Sequence, residues 1–304
     1  MNKLSISIVN WNTGDLLAKC LASLVALPEG ERALIDEVVV VDNNSHDNSI
    51  AKAKVVVGQS INKPRVRFVQ MDHNIGFTGG NNLALEKILE RNGIWPHVLL
   101  LNPDTEARAG VIEVALEEFE KDGKVGVIGP QLLNADLSIQ PSVRSFPTFQ
   151  NFLFFFLKLN WYMPKASSWK SYMRDGFDYG ASSNVDQVMG AVFFIRDQVL
   201  KDVGLLDNTF FFWFEEVDYC KRVVEGGWLV RYLSRGQVIH HGGVSFNQLG
   251  GWRKSWRWTR SSWIYARKHL KTGEWMGLVI IGVFSLVVIA PIGATLKQLR
   301  GNKV

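Results

Sequence analysis

A chain of 304 residues can bury a full core, and a hydrophobic content of 47% excludes wholesale disorder. The net charge of +5 is not spread evenly: residues 252–271 hold seven Lys or Arg and no acid, and the rest of the chain is close to neutral, which argues against a nucleic-acid partner. Two cysteines, Cys20 and Cys220, sit 200 residues apart inside helical patterns, so no disulfide framework is implied and a reducing cytosolic setting is expected.

The N-terminal sequence runs straight into a strand, predicted over residues 6–9, and does not read as a secretion signal. Residues 15–27 place Leu16, Leu17, Cys20, Leu21 and Leu24 at three- and four-residue spacing, which predicts an amphipathic helix. A second strand is predicted at 37–42, a helix at 49–57, a third strand at 66–70, a helix at 80–91 and a fourth strand at 98–101. Continuously apolar strands alternating with helices predict a parallel sheet covered on both faces. Ligands of such sheets lie beyond the carboxyl ends of the strands. Asn10, Asp42, Asp72 and Asp104 all fall at those ends, so a polar pocket is expected there.

The alternation breaks between Pro141 and Tyr179. Residues 149–163 crowd phenylalanines, Trp161 and Tyr162 around one lysine, which reads either as a lid helix on the core or as a segment dipping into lipid headgroups. Strand character returns at 188–195, and helices are predicted at 197–203 and 217–225. On a helix, residues 252–271 would put Arg253, Arg257, Arg260, Arg267 and Lys271 within about 80° of one another, beside a stripe of Trp252, Trp256, Trp263 and Leu270. That is how an interfacial helix meets anionic headgroups. Residues 275–296 then run 22 long without a charge, roughly 33 Å as a helix and enough to cross the hydrocarbon core. Pro291 and three glycines leave a kinked or re-entrant path open, and a buried soluble helix is the plainer alternative.

The chemistry is concentrated in five places. Residues 210–222 set Glu215, Glu216 and Asp218 directly behind five aromatics. Apolar walls desolvate carboxylates and neighbouring ones repel, so the cluster costs stability unless it meets a cation or a substrate proton. Val-Asp-Asn-Asn-Ser at 41–45 reads as an Asx-rich turn, or as Asp42 and Asn44 beside a base or ribose. Asn74, Gly76, Gly79 and Asn82 belong to a glycine-rich stretch at a helix start, where backbone N–H groups can approach a diphosphate. Its spacing is neither a dinucleotide fingerprint nor a P-loop. Asn-Pro-Asp at 102–104 is a plain turn, or places Asp104 to hold Mg²⁺ or Mn²⁺. His240 and His241 are satisfied structural histidines, or one of them completes a Mn²⁺ sphere.

Together, Asn-Trp-Asn at 10–12, Val-Asp-Asn-Asn-Ser at 41–45, Asn-x-Gly-Phe-x-x-Gly-Asn-Asn at 74–82, Leu-Asn-Pro-Asp at 101–104, Gly190-Ala191, Phe-Glu-Glu-Val-Asp-Tyr-Cys-x-Arg at 214–222 and His-x-x-x-Ser at 241–245 resemble glycosyltransferase family 2, in its rhamnosyltransferase-like members. The resemblance runs over roughly residues 3–270. It implies a GT-A fold: α/β, with a Rossmann-like, mixed, mostly parallel sheet and helices on both faces. Residues 1–105 would be the nucleotide-sugar-binding half and 106–250 the acceptor-binding and catalytic half of one domain; a basic interfacial helix (251–271) and a hydrophobic membrane segment with a short tail (272–304) would follow.

By the same resemblance, Asp42 contacts the nucleobase or ribose, with Asn10, Asn12 and Asn44 nearby. Asp104 is the surviving acid of an Asp-x-Asp metal motif whose first position here is Asn102. His241 is a further metal ligand, with His240 as the alternative. Glu216 stands at the catalytic base, commonly an Asp, which leaves Glu215 as the rival. The implied activity is an inverting, metal-dependent transfer of a sugar, rhamnose from dTDP-rhamnose foremost, with Mg²⁺ or Mn²⁺. The implied acceptor is a polyprenyl-diphosphate-linked glycan of cell-surface polysaccharide synthesis, met on the cytoplasmic face of a bacterial-type inner membrane. A non-catalytic, membrane-tethered nucleotide-sugar-binding or scaffold protein would bind without turnover. A nucleotidyltransferase would need a basic triphosphate loop that residues 10–14 lack.

Overall fold

The computed structural model describes residues 3–59, 64–93, 95–242 and 251–289; Ser245 and residues 290–296 of the uncharged stretch lie outside the described residues. The first half follows the predicted alternation: Leu4–Asn10 (β1), Gly14–Val25 (α1), the single turn Glu29–Arg32 (α2), Ile35–Asp42 (β2), Ser49–Gly58 (α3), Arg65–Gln70 (β3), Gly76–Asn92 (α4) and His97–Leu101 (β4). The strands are apolar throughout because both faces are covered. Alternate residues of β2 show it: Val38 and Val40 pack with Leu17, Leu21 and Leu24 of α1, while Val39 and Val41 pack with Ala84, Leu85 and Ile88 of α4.

The second half adds Thr105–Ala107 (β5), Val111–Lys121 (α5), Val125–Leu133 (β6), Ile139–Gln140 (β7), Val143–Arg144 (β8), Phe149–Phe156 (α6), Leu159–Tyr162 (α7) and Ser167–Met173 (α8). Ser183–Val185 (β9), Gln187–Val188 (β10), Val192–Ile195 (β11), Asp197–Asp202 (α9), Glu215–Glu225 (α10) and Leu229–His240 (β12) follow. A ten-stranded sheet results, ordered β3-β2-β1-β4-β11-β6-β12-β5, with β7 on β6 and β9 on β12. The β1–β2, β2–β3, β1–β4 and β6–β12 pairs are parallel; β11 runs antiparallel between β4 and β6. The expected mixed, mostly parallel α/β sheet is therefore present. From β1 the chain moves outward through β2 and β3 and then returns to the other side of β1 as β4. That reversal is the switch point beside which ligands of open α/β sheets bind.

Three boundaries differ from expectation. Helix α4 begins at Gly76 rather than residue 80, so the glycine-rich stretch is its first two turns and not a loop before it. The strand expected at 188–195 is two: β10 pairs with β8 in a separate ribbon and β11 joins the main sheet. Helix α10 begins at Glu215, which brings Glu215 and Glu216 into its first turn.

The C-terminal part is built on a third cluster, in which Phe152 and Phe156 of α6 meet Phe210, Phe214, Tyr265, Ala266 and Leu278. Tyr265 and Ala266 belong to a basic helix, Gly251–His269, and Leu278 to an apolar helix, Thr272–Phe284. The two helices pack closely because Gly282 has no side chain: a Cβ there would lie 2.7 Å from Trp263 Nε1, which donates to the Leu278 carbonyl at 3.0 Å. The anticipated stripes are split by these contacts. Trp252 and Trp256 are exposed while Trp263 is used in packing, and Arg260, although exposed, donates to the Thr209 carbonyl. Residues 149–163 divide by position: Phe152 and Phe156 are core, whereas Trp161 and Tyr162 are 73% and 80% exposed. Thr272–Ile289, ending in a π-helix at Ser285–Ile289, is 18 residues of mean hydropathy 2.0, long and apolar enough to cross a membrane. Only 22% of it is buried.

Candidate active site

Beyond the carboxyl ends of β1, β2 and β4, Asn10, Asp42 and the Asn43–Ser45 turn are tied into one polar knot. The Asp42 carboxylate, 1% exposed, accepts from Asn10 Nδ2 at 2.7 Å, Ser45 Oγ at 2.6 Å and the Ser45 N–H at 3.0 Å. Asn12 joins from the next loop: its N–H donates to Ser45 Oγ at 2.9 Å and its Oδ1 accepts the His46 N–H at 2.7 Å. Asn12 and Asn44 both stand at positive φ, 52° and 62°, which asparagine tolerates better than bulkier residues. Four residues named from the sequence are thus brought together, but as a shaped turn rather than as open ligands.

The neighbouring Asn43 reaches further. It lines a narrow pocket of about 70 Å³ together with Trp11, Gly76, Asn102 and Asp104. Its Nδ2 donates to the Gly76 carbonyl at 2.9 Å, and its Oδ1 is buried without a partner. The N-terminus of α4 forms one wall. Asn74 Oδ1 takes the Gly76 N–H at 2.8 Å, and Gly76 itself has φ +82° with the Phe211 carbonyl where a Cβ would sit, so no other residue fits. Gly79 lies one turn into the helix against Ile75, and Gly80 is the residue that lets Val9 approach. Asn82 is directed elsewhere: it clamps Leu206 and Asn208 and does not reach this pocket.

Asp104 lines the same pocket, 7% exposed. The imidazole facing it is His240, with Nε2 3.5 Å from Asp104 Oδ1 and Nδ1 2.7 Å from Gln140 Oε1. His241 does not face Asp104 with its ring; Nε2 meets Glu106 Oε1 at 2.6 Å. The reason is strand alternation: His240 ends β12 pointing to one face, and the next side chain points to the other.

The acid cluster begins at a strained corner. Trp213 and Phe214 both take φ near +67°, a left-handed conformation that costs bulky aromatics energy and recurs at functional sites. The corner throws Glu215 and Glu216 into the first turn of α10. Each keeps its Oε2 buried without a hydrogen-bond partner. Burial raises the pKa of both; Glu215 rises well above the ordinary range because the Glu216 charge adds to its desolvation. Glu216 lies over Gly190, where a Cβ would come within 3.2 Å of the Glu216 Cβ. The next residue, Ala191, accepts the Asn102 N–H at 2.9 Å, so one strand edge joins Glu216 to the loop carrying Asp104.

Asp218 is not part of this group. Its carboxylate, fully buried, holds Arg222 Nε at 2.9 Å, Lys268 Nζ at 2.6 Å and His269 Nε2 at 2.8 Å. Burial alone would raise its pKa, but the bonds from His269, Lys268 and Arg222 prevail and hold it at about 2. The expected catalytic acid is an ion-pair hub fastening α10 to the basic helix.

The sequence profile described as Glycosyl transferase family 2 matches residues 5–177, more than half of the chain. The chain belongs to that family. This family 2 protein is 24% identical over 295 residues to the N-acetylglucosaminyl-diphospho-decaprenol L-rhamnosyltransferase of Mycobacterium tuberculosis, covering 88% of this chain and 92% of that one. Its fold is similar to the mannosyltransferase of Pyrobaculum calidifontis solved with GDP-Man and Mn²⁺, at a TM-score of 0.55 and 12% identity over 100% of this chain and 76% of the other. It is likewise similar to the crystal structure of GalNAc-T7 with UDP, GalNAc and Mn²⁺, at 0.55 and 14%, over 79% of this chain and 44% of the other. At those identities the shared property is the GT-A fold.

In this family 2 glycosyltransferase, no group of three His, Cys, Asp or Glu side chains surrounds one point among the described residues. What the pocket does offer is one carboxylate, Asp104, the orphaned buried amide oxygens of Asn102 and Asn43, and His240 at the edge. That donor set fits a divalent cation that takes one carboxylate from the protein and keeps its other positions for water and phosphate oxygens. The residue that sequence reasoning missed is Arg257. It lines the pocket with its guanidinium 4.1 Å above the Phe211 ring, although its position in the basic stripe had suggested lipid headgroups. Burial, and then the charge of Arg253, lower its pKa.

Proposed function

We propose that this family 2 glycosyltransferase performs an inverting transfer of a sugar from a nucleotide donor to a polyprenyl-diphosphate-linked glycan in cell-wall polysaccharide synthesis, with rhamnose from dTDP-rhamnose as the leading donor. The observation that carries the reading is Glu216: a desolvated carboxylate with an unpartnered oxygen, set over Gly190 and joined through Ala191 to the Asn102–Asp104 loop. Glu216 takes the proton of an acceptor hydroxyl while that oxygen attacks the anomeric carbon; the bond from that carbon to the nucleoside diphosphate breaks on the opposite face. Burial and the charge of Glu216 both raise the Glu215 pKa, which favours a neutral Glu215 beside an ionised Glu216.

On the donor side, the Asp42–Ser45 turn meets the nucleoside, and the α4 N-terminus together with Arg257 faces the diphosphate. Asp104, with Asn102 and His240, would hold Mg²⁺ or Mn²⁺, which when bound neutralises charge on the departing diphosphate. The Asp104→Ala protein is expected to lose roughly tenfold or more in Mn²⁺-dependent nucleotide affinity. Unchanged calorimetric titrations of nucleotide with and without Mn²⁺ would remove Asp104 from this role.

The name of the mycobacterial relative supports a lipid-linked acceptor, and the largely unburied apolar helix supports a membrane anchor; a nucleotide donor would then place the catalytic part on the cytoplasmic face. The deciding test incubates detergent-solubilised protein with Mn²⁺, a set of nucleotide sugars and a GlcNAc-diphosphate-polyprenol. Product formation is followed by mass spectrometry and anomeric configuration by NMR. Transfer from dTDP-rhamnose with inversion is expected. Retention of configuration would overturn the mechanism, and donor binding without turnover on any acceptor would favour the scaffold alternative.

A further inference from the structure

A second cavity, a groove of about 640 Å³, lies between α6–α7 and the far end of the apolar helix and shares no lining residue with the donor pocket. Phe156, Trp258, Leu286 and Ile289 make its walls apolar. Among the described residues that line it, Lys158 and Lys254 are the charged ones, and no acid does so. At its mouth stand Trp161 and Tyr162, the exposed aromatics after α6. One wall is the π-helical turn Ser285–Ile289, held in place by Ser285 Oγ donating to the Phe156 carbonyl at 2.7 Å. Wide turns of this kind interrupt a regular helix at some cost and are found mostly at functional sites.

The groove and the donor pocket are back to back. Phe211 and Phe212 line the pocket, and the next residue, Trp213, lines the groove. Trp213 also belongs to the left-handed corner that starts α10, three residues before Glu216. A ligand lying along the groove therefore has one end beside the catalytic turn and the other beside the apolar helix.

We infer that this groove binds the proximal isoprene units of the lipid-linked acceptor, with Lys158 and Lys254 on its diphosphate. The inference rests on the proposed activity and adds where the acceptor lipid is held. A single groove with aromatic walls fits one branched, unsaturated chain better than the paired acyl chains of a phospholipid. Two lysines without an acid match a diphosphate. The Trp213 end then presents the first sugar of the acceptor to Glu216, and the Ile289 end lets the rest of the chain continue into the bilayer.

The experiment has two arms, both on the full chain. In the first, kcat/KM is compared for a decaprenyl-linked and a short citronellyl-linked GlcNAc-diphosphate in the parent protein and in Lys158→Glu, Trp161→Ala and Ser255→Trp, the last of which fills the groove. The long-to-short ratio is expected to fall about tenfold, equivalent to one decade of lost binding; a ratio unchanged in all three variants overturns the assignment. In the second arm, a benzophenone-bearing isoprenyl diphosphate is photolysed on the protein without donor. Labelled peptides are expected within residues 155–162, 254–259 or 285–289, and labels confined elsewhere overturn it. Competition of that label by phosphatidylglycerol vesicles as effective as by polyprenyl diphosphate would make the groove a phospholipid site and also overturn it. Groove labelling in a protein that turns over no lipid-linked acceptor would support the groove and sink the proposed activity; turnover with labels elsewhere would do the reverse.

Discussion

Replacing Glu216 with Gln is expected to lower kcat by about 10²–10⁴-fold while donor binding survives, because the change removes a proton acceptor and almost no volume. The glutamine keeps the packing over Gly190 and does not alter the Asp42 turn or Arg257, to which the proposal assigns the nucleotide. Rapid-quench turnover and calorimetric titration of donor check the two halves; a variant with full turnover would eliminate Glu216 as base. The direction of its pKa shift adds a pH signature. Burial raises the Glu216 pKa, so the base is lost to protonation at a higher pH than an ordinary glutamate near 4.5 would be. The acid limb of kcat/KM is therefore expected above that value, and an acid limb in the ordinary carboxylate range would contradict a desolvated base. Glu215→Gln should behave in the opposite way. A carboxyl with a raised folded pKa contributes full stability only below its unfolded pKa and loses it as pH rises through the folded one. Neutralising Glu215 should therefore raise Tm at pH 7 and leave the acid limb in place.

Asp218→Ala is expected to destabilise the fold by about 3–5 kcal/mol, since it removes the buried carboxylate on which Arg222, Lys268 and His269 converge and leaves only Lys268 with another acid, Asp207. Urea denaturation of parent and variant measures this, and a loss below about 1 kcal/mol would show that the three cations find solvent or other partners. The same carboxylate gives the protein an acid sensitivity of defined sign. Its folded pKa is about 2 against an ordinary 3.8, so its contribution, on the order of 2 kcal/mol, is present above pH 4 and is lost as pH falls from about 4 to about 2. In the Asp218 variant that part of the acid transition should be absent. Because Lys268 and His269 belong to the helix that also carries Arg257, the variant should weaken donor binding along with stability, whereas Glu216→Gln should leave donor binding intact.

Much of the fold was legible because its signals are local. The apolar strands alternating with amphipathic helices predicted the sheet, and polar residues at strand ends predicted a pocket there, which Asn43, Asn102 and Asp104 line. The C-terminal helices were legible for the same reason, from a run of cations and a run without charge. The motif at 214–222 marked an acid cluster but not the different orientations of its acids, Glu215 and Glu216 in the first turn with unpartnered oxygens and Asp218 in an ion-pair hub. Sequence reading placed helix starts too late at Gly76 and Glu215: the glycines are poor helix formers in one case, and in the other the left-handed corner of Trp213 and Phe214 that starts the helix is set by tertiary packing and leaves no local signal.

By itself, then, the sequence determined the α/β alternation, the order of the polar strand ends and the presence of an acid cluster, since period and neighbour identity suffice for these. Tertiary structure alone decided that Asp218 binds a lysine and a histidine about fifty residues away, that His240 rather than His241 turns to Asp104, and that Arg257 leaves the basic stripe for the pocket that Asp104 lines. Each of those outcomes depends on which distant surface a side chain meets when the helices close on the sheet, and charge pairing and desolvation act only once that contact exists.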